Sequence, residues 1–399
     1  MKSVSNETAL KLLKLGEFFL YFLIIIPIIT ILYQSKGVSI GDFFMIQGLF
    51  RIASFLFEIP SGYLSDTLSR RKVMLFGAFI FFVSIFCLFW AYGFWQIAAC
   101  EMGLGLSMAL FSGTKEAYAY DLLKRMKREK YFLKEYGSIN TYSQIASFSA
   151  TLIGSFLYSV IGNNIILVEA VIAIFAVVCV LFLPELHEAR RKVSPETNPI
   201  KDIISIVEMS IKHPEIKWFM TFPAIYAAFT LVLFWMLQPI MSAAGVATVM
   251  FGLFIGINQF SRVLFSKYAH KVCDTVGHKK ALYLSVLMMF VAMLSIFVVL
   301  NLNNMFFIYF LLGIIAIVPA SQKLNSLMFN SYIHHRIKSE ERGTVLSVSA
   351  MYNTFLTGLV MMLMKPILDG FGIEFTIGIV LILFLFIFIP LKKVMAIKL

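Results

Sequence analysis

The chain has 399 residues, of which 60% are hydrophobic, 15% aromatic and only 14% charged. Such a composition leaves too little polar surface to cover the apolar side chains of a soluble protein, so lipid is the solvent for much of this chain. A net charge of +12 would suit a nucleic acid, but the basic residues lie in short segments between apolar runs, as cytoplasmic membrane loops do, and no nucleic-acid partner is expected.

Crossing a bilayer takes about 20 mainly apolar residues. The pattern predicts twelve spans, at 13–33, 41–64, 73–92, 95–119, 138–161, 164–183, 217–240, 247–269, 280–301, 304–325, 343–367 and 373–391. The first run is too long for the apolar core of a signal peptide, and no cleavable leader is expected. With the N-terminus inside, the outer loops hold a single basic residue, Lys36. Arg51, Lys115, Arg262, Lys323 and Lys365 fall within spans, and nearly all other basic residues lie in inner segments. That asymmetry predicts both termini in the cytoplasm.

The longest polar stretch, roughly 184–216, carries Pro184, Arg190, Arg191, Lys192, Pro195 and Pro199. It continues into a moderately amphipathic segment, Ile200 to Ile211, suited to the membrane surface. It divides the chain into an N-terminal six-helix bundle (1–184), a cytoplasmic linker (185–216) and a C-terminal six-helix bundle (217–399). The basic loop 121–137 is expected to be helical. Gln238-Pro239 and Pro319 mark candidate helix breaks.

The two halves repeat. Asp66-Thr67-Leu68-Ser69-Arg70-Arg71-Lys72 and Asp274-Thr275-Val276-Gly277-His278-Lys279-Lys280 stand 208 residues apart. The same offset matches Gly105 with Gly313 and Lys115 with Lys323. A duplicated helical membrane protein is the simplest cause, and secondary transporters are commonly built so.

Polar residues are unevenly shared among the spans. Spans 3, 9 and 12 carry no internal charge and span 6 only Glu169, so these four suit a lipid-facing position. Arg51, Ser54 and Glu58 form one stripe on span 2, and Glu101, Met108, Ser112 and Lys115 another on span 4. Span 8 has Asn258, Arg262 and Ser266, span 10 has Lys323, Ser326 and Asn330, and the polar span 5 includes Gln144. A charge at bilayer depth costs about 2.5–3.5 kcal/mol even on lenient scales, so these stripes are expected to face a central polar cavity.

These features resemble the major facilitator superfamily of secondary transporters over essentially the whole chain. Gly62-Tyr63-Leu64-Ser65-Asp66-Thr67-Leu68-Ser69-Arg70-Arg71-Lys72 is similar to that family's signature loop between helices 2 and 3, with Ser69 where a glycine is usual. Glu58-Ile59-Pro60-Ser61-Gly62 is similar to a variant common among bacterial exporters of the family. Asp121 resembles the acidic partner of the basic cluster. The resemblance implies an all-α fold of twelve helices in two pseudo-symmetric bundles, located in the bacterial inner membrane. It also implies alternating access, with export favoured over uptake. Two departures leave direction open: Glu101 stands four before Gly105 where many drug–proton antiporters carry an arginine, and span 5 has Gly154 but lacks their Gly-Pro pair.

Glu101 and Glu58 are the candidate proton-coupling residues, since a carboxyl out of water loads and releases protons near neutral pH. Glu58 is alternatively an ion-pair partner, about 12 Å along the helix from Asp66. Arg51 and Arg262 suit a carboxylate or phosphate, or else pair internally with Glu58 or Glu101. Lys115 has a local partner in Glu116, or extends to the inner interface. Asn258, Gln144, Tyr226, Trp235 and Tyr352 complete the candidate cavity. A cytoplasmic gate is expected from Gly62, Asp66, Arg70, Arg71, Asp121, Asp274 and Lys279, unless the cations serve topology alone.

Cys87, Cys100, Cys179 and Cys273 lack paired spacing, so neither disulfides nor a metal cluster is suggested. No ATP-binding loop, metalloprotease motif or nucleophile–base arrangement occurs, and His334-His335 reads as a solvated loop. No enzyme activity, cofactor or metal is expected. The expected partners are a small-molecule substrate, protons and the lipid bilayer, with the chain a monomer. The competing reading is a transporter-like sensor or scaffold without solute flux.

Overall fold

The computed structural model describes residues 4–186, 214–301, 304–326, 329 and 339–396. The amphipathic segment Ile200–Ile211, Asn330 and His334-His335 lie outside the described residues. The chain is all-α, with no strand among the described residues. Ten helical stretches among them are long and apolar enough to cross a membrane. Two of these, Glu129–Leu181 and Val345–Ala396, run to 53 and 52 residues, more than twice the length of one crossing. Each is interrupted by a glycine at positive φ, Gly162 at 55° and Gly372 at 71°, and so has room for two spans.

The first predicted span is not one helix. It comprises α1 (Asn6–Tyr21), a 3₁₀ turn (Ile26–Ile28) and α2 (Ile29–Gln34). Pro27 accounts for the interruption, because its ring clashes with the preceding turn and it has no N–H to donate. In hydrocarbon the freed backbone groups need partners. One comes from Glu169, whose Oε2 accepts the Ile25 N–H at 2.8 Å. Gly154 leaves space for the bent chain, since a Cβ there would stand 2.0 Å from the Ile24 carbonyl oxygen.

Next come α3 (Ile40–Thr67), α4 (Arg70–Trp90), α5 (Gly93–Arg125), α6 (Phe132–Ile161) and α7 (Ile165–Leu181). The basic loop is helical only in part: α5 extends to Arg125, and a 3₁₀ turn covers Glu129–Tyr131. Arg128 binds Glu7 at 2.7 Å and Glu135 at 3.0 Å, while Lys14 binds Glu135 at 2.9 Å, fastening α1 to this loop. Lys36, the one basic residue expected in an outer loop, donates to the carbonyls of Phe89 and Ala91 at 2.7 and 3.1 Å. A cation there neutralises the C-terminal end of α4.

The second half has α8 (Pro214–Ala243), α9 (Phe251–Val276), α10 (His278–Leu300), α11 (Met305–Ile317), α12 (Ser339–Leu385) and α13 (Phe388–Ala396). Pro239, an expected break, lies inside the continuous α8. Pro319 does end a helix, in the 3₁₀ turn Val318–Ser321.

The chain clusters into two compact units, Met1–Val38 with Leu49–Pro199, and Ser39–Gly48 with Ile200–Leu399. The start of α3 therefore counts with unit 2. Small residues permit this: a Cβ on Gly48 would stand 2.9 Å from the Gly358 carbonyl oxygen. Packing repeats between units. In unit 1, α4 lies on α5 and α7; in unit 2, α10 lies on α11 and α12.

Gly154→Leu is expected to drive its side chain into the Ile24 backbone and lower the unfolding midpoint in detergent by at least about 4 °C. Gly113→Ala, whose added methyl meets nothing within 4 Å, is expected to leave the midpoint unchanged or raised. Equal behaviour of the two variants would refute this account of the first span.

Candidate functional site

In unit 1 the two predicted stripes meet. Ser54 Oγ on α3 donates to the carbonyls of Phe50 and Gly105, at 3.0 and 3.1 Å. Gly105 permits this crossing of α3 and α5, because a Cβ there would be 2.5 Å from the Phe50 oxygen. Two turns on, Ser112 Oγ of α5 donates to Glu58 Oε1 at 2.9 Å. Glu58 is half-buried, so its partner is a hydroxyl and its access to water is partial.

Glu101 is buried, 3% exposed, and accepts the hydroxyl hydrogen bond of Tyr33, itself fully buried on α2. Arg51 is half-buried with its guanidinium 5.6 Å from the ring of Phe50. Among the described residues it forms an ion pair with neither Glu58 nor Glu101, which leaves the internal-pairing alternative without support. Gln144 lies exposed on α6.

Sequence reasoning missed Glu17. Lys115 pairs with it, Nζ to Oε1 at 2.6 Å, and not with its neighbour Glu116. The ammonium also lies 6.0 and 5.9 Å from the rings of Tyr21 and Tyr136. A signal was present: Glu17 is an acid inside the first apolar run. Its partner stands 98 residues away, so the pairing was not legible. Glu169 reads from the sequence only as the one charge of a span suited to lipid, and its role under the broken helix, where it is 1% exposed, needs the three-dimensional fold.

In unit 2, Asn258 Nδ2 donates to the Ala316 carbonyl at 2.8 Å, joining α9 to α11. Arg262, one turn later and half-buried, stacks its guanidinium 5.8 Å from the Phe234 ring. Tyr226 is fully buried and hydrogen-bonds the Ser285 carbonyl at 2.9 Å and Ser321 Oγ at 2.5 Å. Trp235, 7% exposed, sets its ring 5.4 Å from Phe43 and leaves Nε1 without a partner. Tyr352 is half-buried, its hydroxyl 3.5 Å from Thr221 Oγ1. Lys365 is held between Asp42 and Asp369, the latter at 2.8 Å.

The basic clusters are anchored by matching bonds. Arg70 forms an ion pair with Asp121 and donates to the Ala117 carbonyl at 2.9 Å. Arg71 donates to the Leu181 carbonyl at the end of α7, at 2.5 Å. In unit 2 Lys279 donates to the Met395 carbonyl near the end of α13, at 2.7 Å. Cations at helix C-termini are favourable, and these two occupy matched positions of the repeat. Ser69 replaces the usual glycine as an N-cap, accepting from the Lys72 N–H at 3.4 Å. Gly277 takes φ 87° at the matched place. Gly62 and Asp274 are exposed; the side chain of Asp66 lies outside the described residues.

The family model of the Major Facilitator Superfamily matches residues 15–361. This chain belongs to that superfamily. It is therefore a multi-pass membrane protein of a transporter family. The fold is similar to the nucleoside transporter NupG, with a TM-score of 0.81 at 12% identity, covering 99% of this chain and 100% of that one. It is also similar to a bacterial homologue of the human lysosomal transporter Spinster, with a TM-score of 0.72 at 13% identity, covering 98% of each chain. At such identities the likeness is one of fold. An uncharacterised transporter, BU466 of Buchnera aphidicola subsp. Acyrthosiphon pisum (strain APS), is 28% identical over 129 residues, covering 32% of this chain and 29% of that protein.

Lys115→Gln strands a buried Glu17 carboxylate and is expected to cost about 3–5 kcal/mol. The double variant Glu17→Gln/Lys115→Gln should recover most of that loss, read as the unfolding midpoint in detergent. Failure of the double variant to recover would show that the pair is not the stabilising element. Asp121→Asn should lower the midpoint by a few degrees, and Arg70→Gln added to it should cost little more, since the two share one interaction.

Proposed function

We propose that this protein is a proton-coupled secondary transporter of the bacterial inner membrane that moves a small organic solute by alternating access, exporting it from the cytoplasm as a monomer. Membership of the superfamily over most of the chain supports the carrier activity. The observation that carries proton coupling is the Glu58 site. It is an intramembrane carboxyl, half-buried, bonded to the Ser112 hydroxyl rather than to a cation. A carboxyl so placed gains a proton without breaking an ion pair and loses it when water reaches it. Glu101, bonded to Tyr33, is the second coupling group, more deeply enclosed.

Arg51 contributes a cation to the solute's surroundings in unit 1, and Arg262, Asn258 and Tyr352 contribute polar groups in unit 2. Gln144, Tyr226 and Trp235 complete the proposed lining. The cytoplasmic clusters, with Gly62, Asp66, Arg70, Arg71 and Asp121 in one repeat and Asp274 and Lys279 in the other, act as the inner gate. The resemblance of the Glu58-to-Gly62 segment to that of exporters supports export over uptake.

The reading is tested in proteoliposomes loaded with a fractionated metabolite extract and given an imposed proton gradient. The expected result is gradient-driven movement of at least one solute, abolished by a protonophore. Glu58→Gln should lose gradient-driven accumulation while retaining solute exchange. Accumulation that survives the protonophore would rule out proton coupling, and absence of any solute movement would rule out the carrier.

A further inference from the structure

Buried aromatic rings of unit 2 form one wall. Trp235 of α8 meets Phe43 at 5.4 Å and Phe234 at 4.8 Å, with interplanar angles of 78° and 65°, so the rings pack edge to face. Phe234 in turn takes the Arg262 guanidinium of α9 at 5.8 Å. These faces of α8 and α9 are therefore turned toward each other. Asn258 stands one turn before Arg262 on the same face of α9. Its Nδ2 donates to the Ala316 carbonyl at 2.8 Å.

Two polar atoms at this wall have no partner among the described residues. Trp235 Nε1 is a donor and Asn258 Oδ1 an acceptor, on side chains 7% and 1% exposed. They stand at matching depth. Trp235 lies eight residues before the end of α8 at Ala243, and Asn258 seven after the start of α9 at Phe251. At the helical rise both are roughly 10–12 Å from the helix ends that residues 244–250 connect. A buried indole N–H usually finds an acceptor, and an orphaned buried polar atom is costly. Packing alone gives no reason to keep a donor on one helix and an acceptor on the facing one, since Phe and Leu would fill similar volumes without that cost.

We propose that Trp235 and Asn258 recognise an uncharged aromatic amide or lactam as the solute this protein carries. The assignment rests on the carrier reading above and names its solute class. The indole N–H donates to the carbonyl oxygen of the solute, and Asn258 Oδ1 accepts from its N–H. Phe43 and Phe234 supply aromatic surface for its ring. None of these four side chains is charged, so they offer an ionised group no counter-charge. Aromatic walls with a few placed polar groups are what orient a small molecule. Both orphaned atoms are shut off from water, so the solute reaches them when α8 and α9 part at Phe234 and Arg262.

The full chain is purified in non-ionic detergent. Its unfolding midpoint is followed against a panel of uncharged aromatic amides and lactams that includes nicotinamide and uracil. Their N-methylated analogues, glucose and sodium succinate serve as comparisons. The expected result is a saturable rise with at least one amide or lactam. Its apparent affinity should fall about tenfold in Trp235→Phe, and its N-methylated analogue should bind the parent about tenfold more weakly. Asn258→Leu should weaken binding of the amide but not of that analogue, a difference that mere loss of the Ala316 bond would not produce. Without ligand, Trp235→Phe should unfold no earlier than the parent, because it removes a donor that nothing satisfies. Affinity unchanged in Trp235→Phe would overturn the assignment, as would a rise with glucose or succinate alone. Lack of response to the whole panel, while proton-driven flux of a charged solute persists, would overturn the solute class and leave the carrier reading standing.

Discussion

Hydrocarbon solvates neither charge nor an unpaired backbone group, and the described helices are arranged around that fact. An ion at bilayer depth costs a few kcal/mol, and an orphaned N–H costs a comparable amount. Unit 1 meets both demands with carboxyl groups. Glu17 neutralises Lys115, Glu169 accepts the Ile25 N–H freed by Pro27, Glu101 accepts from Tyr33, and Glu58 accepts from Ser112. Unit 2 meets part of the demand with Asp42 and Asp369 around Lys365. Arg51 in one unit and Lys323 in the other form no ion pair among the described residues, and there the arrangement departs from what stability requires.

The internal repeat turns that departure into an argument. Duplicated halves begin with the same side chains at matched places, so retained features report shared needs. Arg71 and Lys279 each tie down the carbonyl end of the last helix region in their own unit. In unit 1 α4 packs on α5 and α7, and in unit 2 α10 packs on α11 and α12. Against this background, Ile225 at the position matched to Glu17 and Arg262 at the position matched to Ser54 mark where the halves differ. Asp121 shows the same asymmetry, since Phe329 stands at its matched position.

Glycine and proline set where the helices bend and how closely they approach. Pro27 interrupts the first span, and Gly154 opens the space into which the interrupted backbone fits. Gly105 lets α3 and α5 come within backbone contact, which brings the Glu58 and Ser112 stripe together. Pro239 shows the limit of reading breaks from composition, because α8 continues past it to Ala243. The superfamily fold and the polar stripes are thus connected: close helix crossings at small residues align the stripes.

From the sequence alone, hydrophobic length and the gathering of Lys and Arg between apolar runs dictated an all-helical membrane protein. The repeated acidic–basic clusters pointed to two related halves, and helical periodicity grouped Arg51, Ser54 and Glu58 on one face. These are properties of consecutive residues, and local spacing encodes them. Which acid neutralises Lys115, which carboxyl caps the broken first span, and whether Lys323 has a counter-ion depend on residues tens to more than a hundred positions apart. Only tertiary packing chooses among several chemically equivalent partners, because any buried carboxyl satisfies the charge and the approach of the helices decides which one is near.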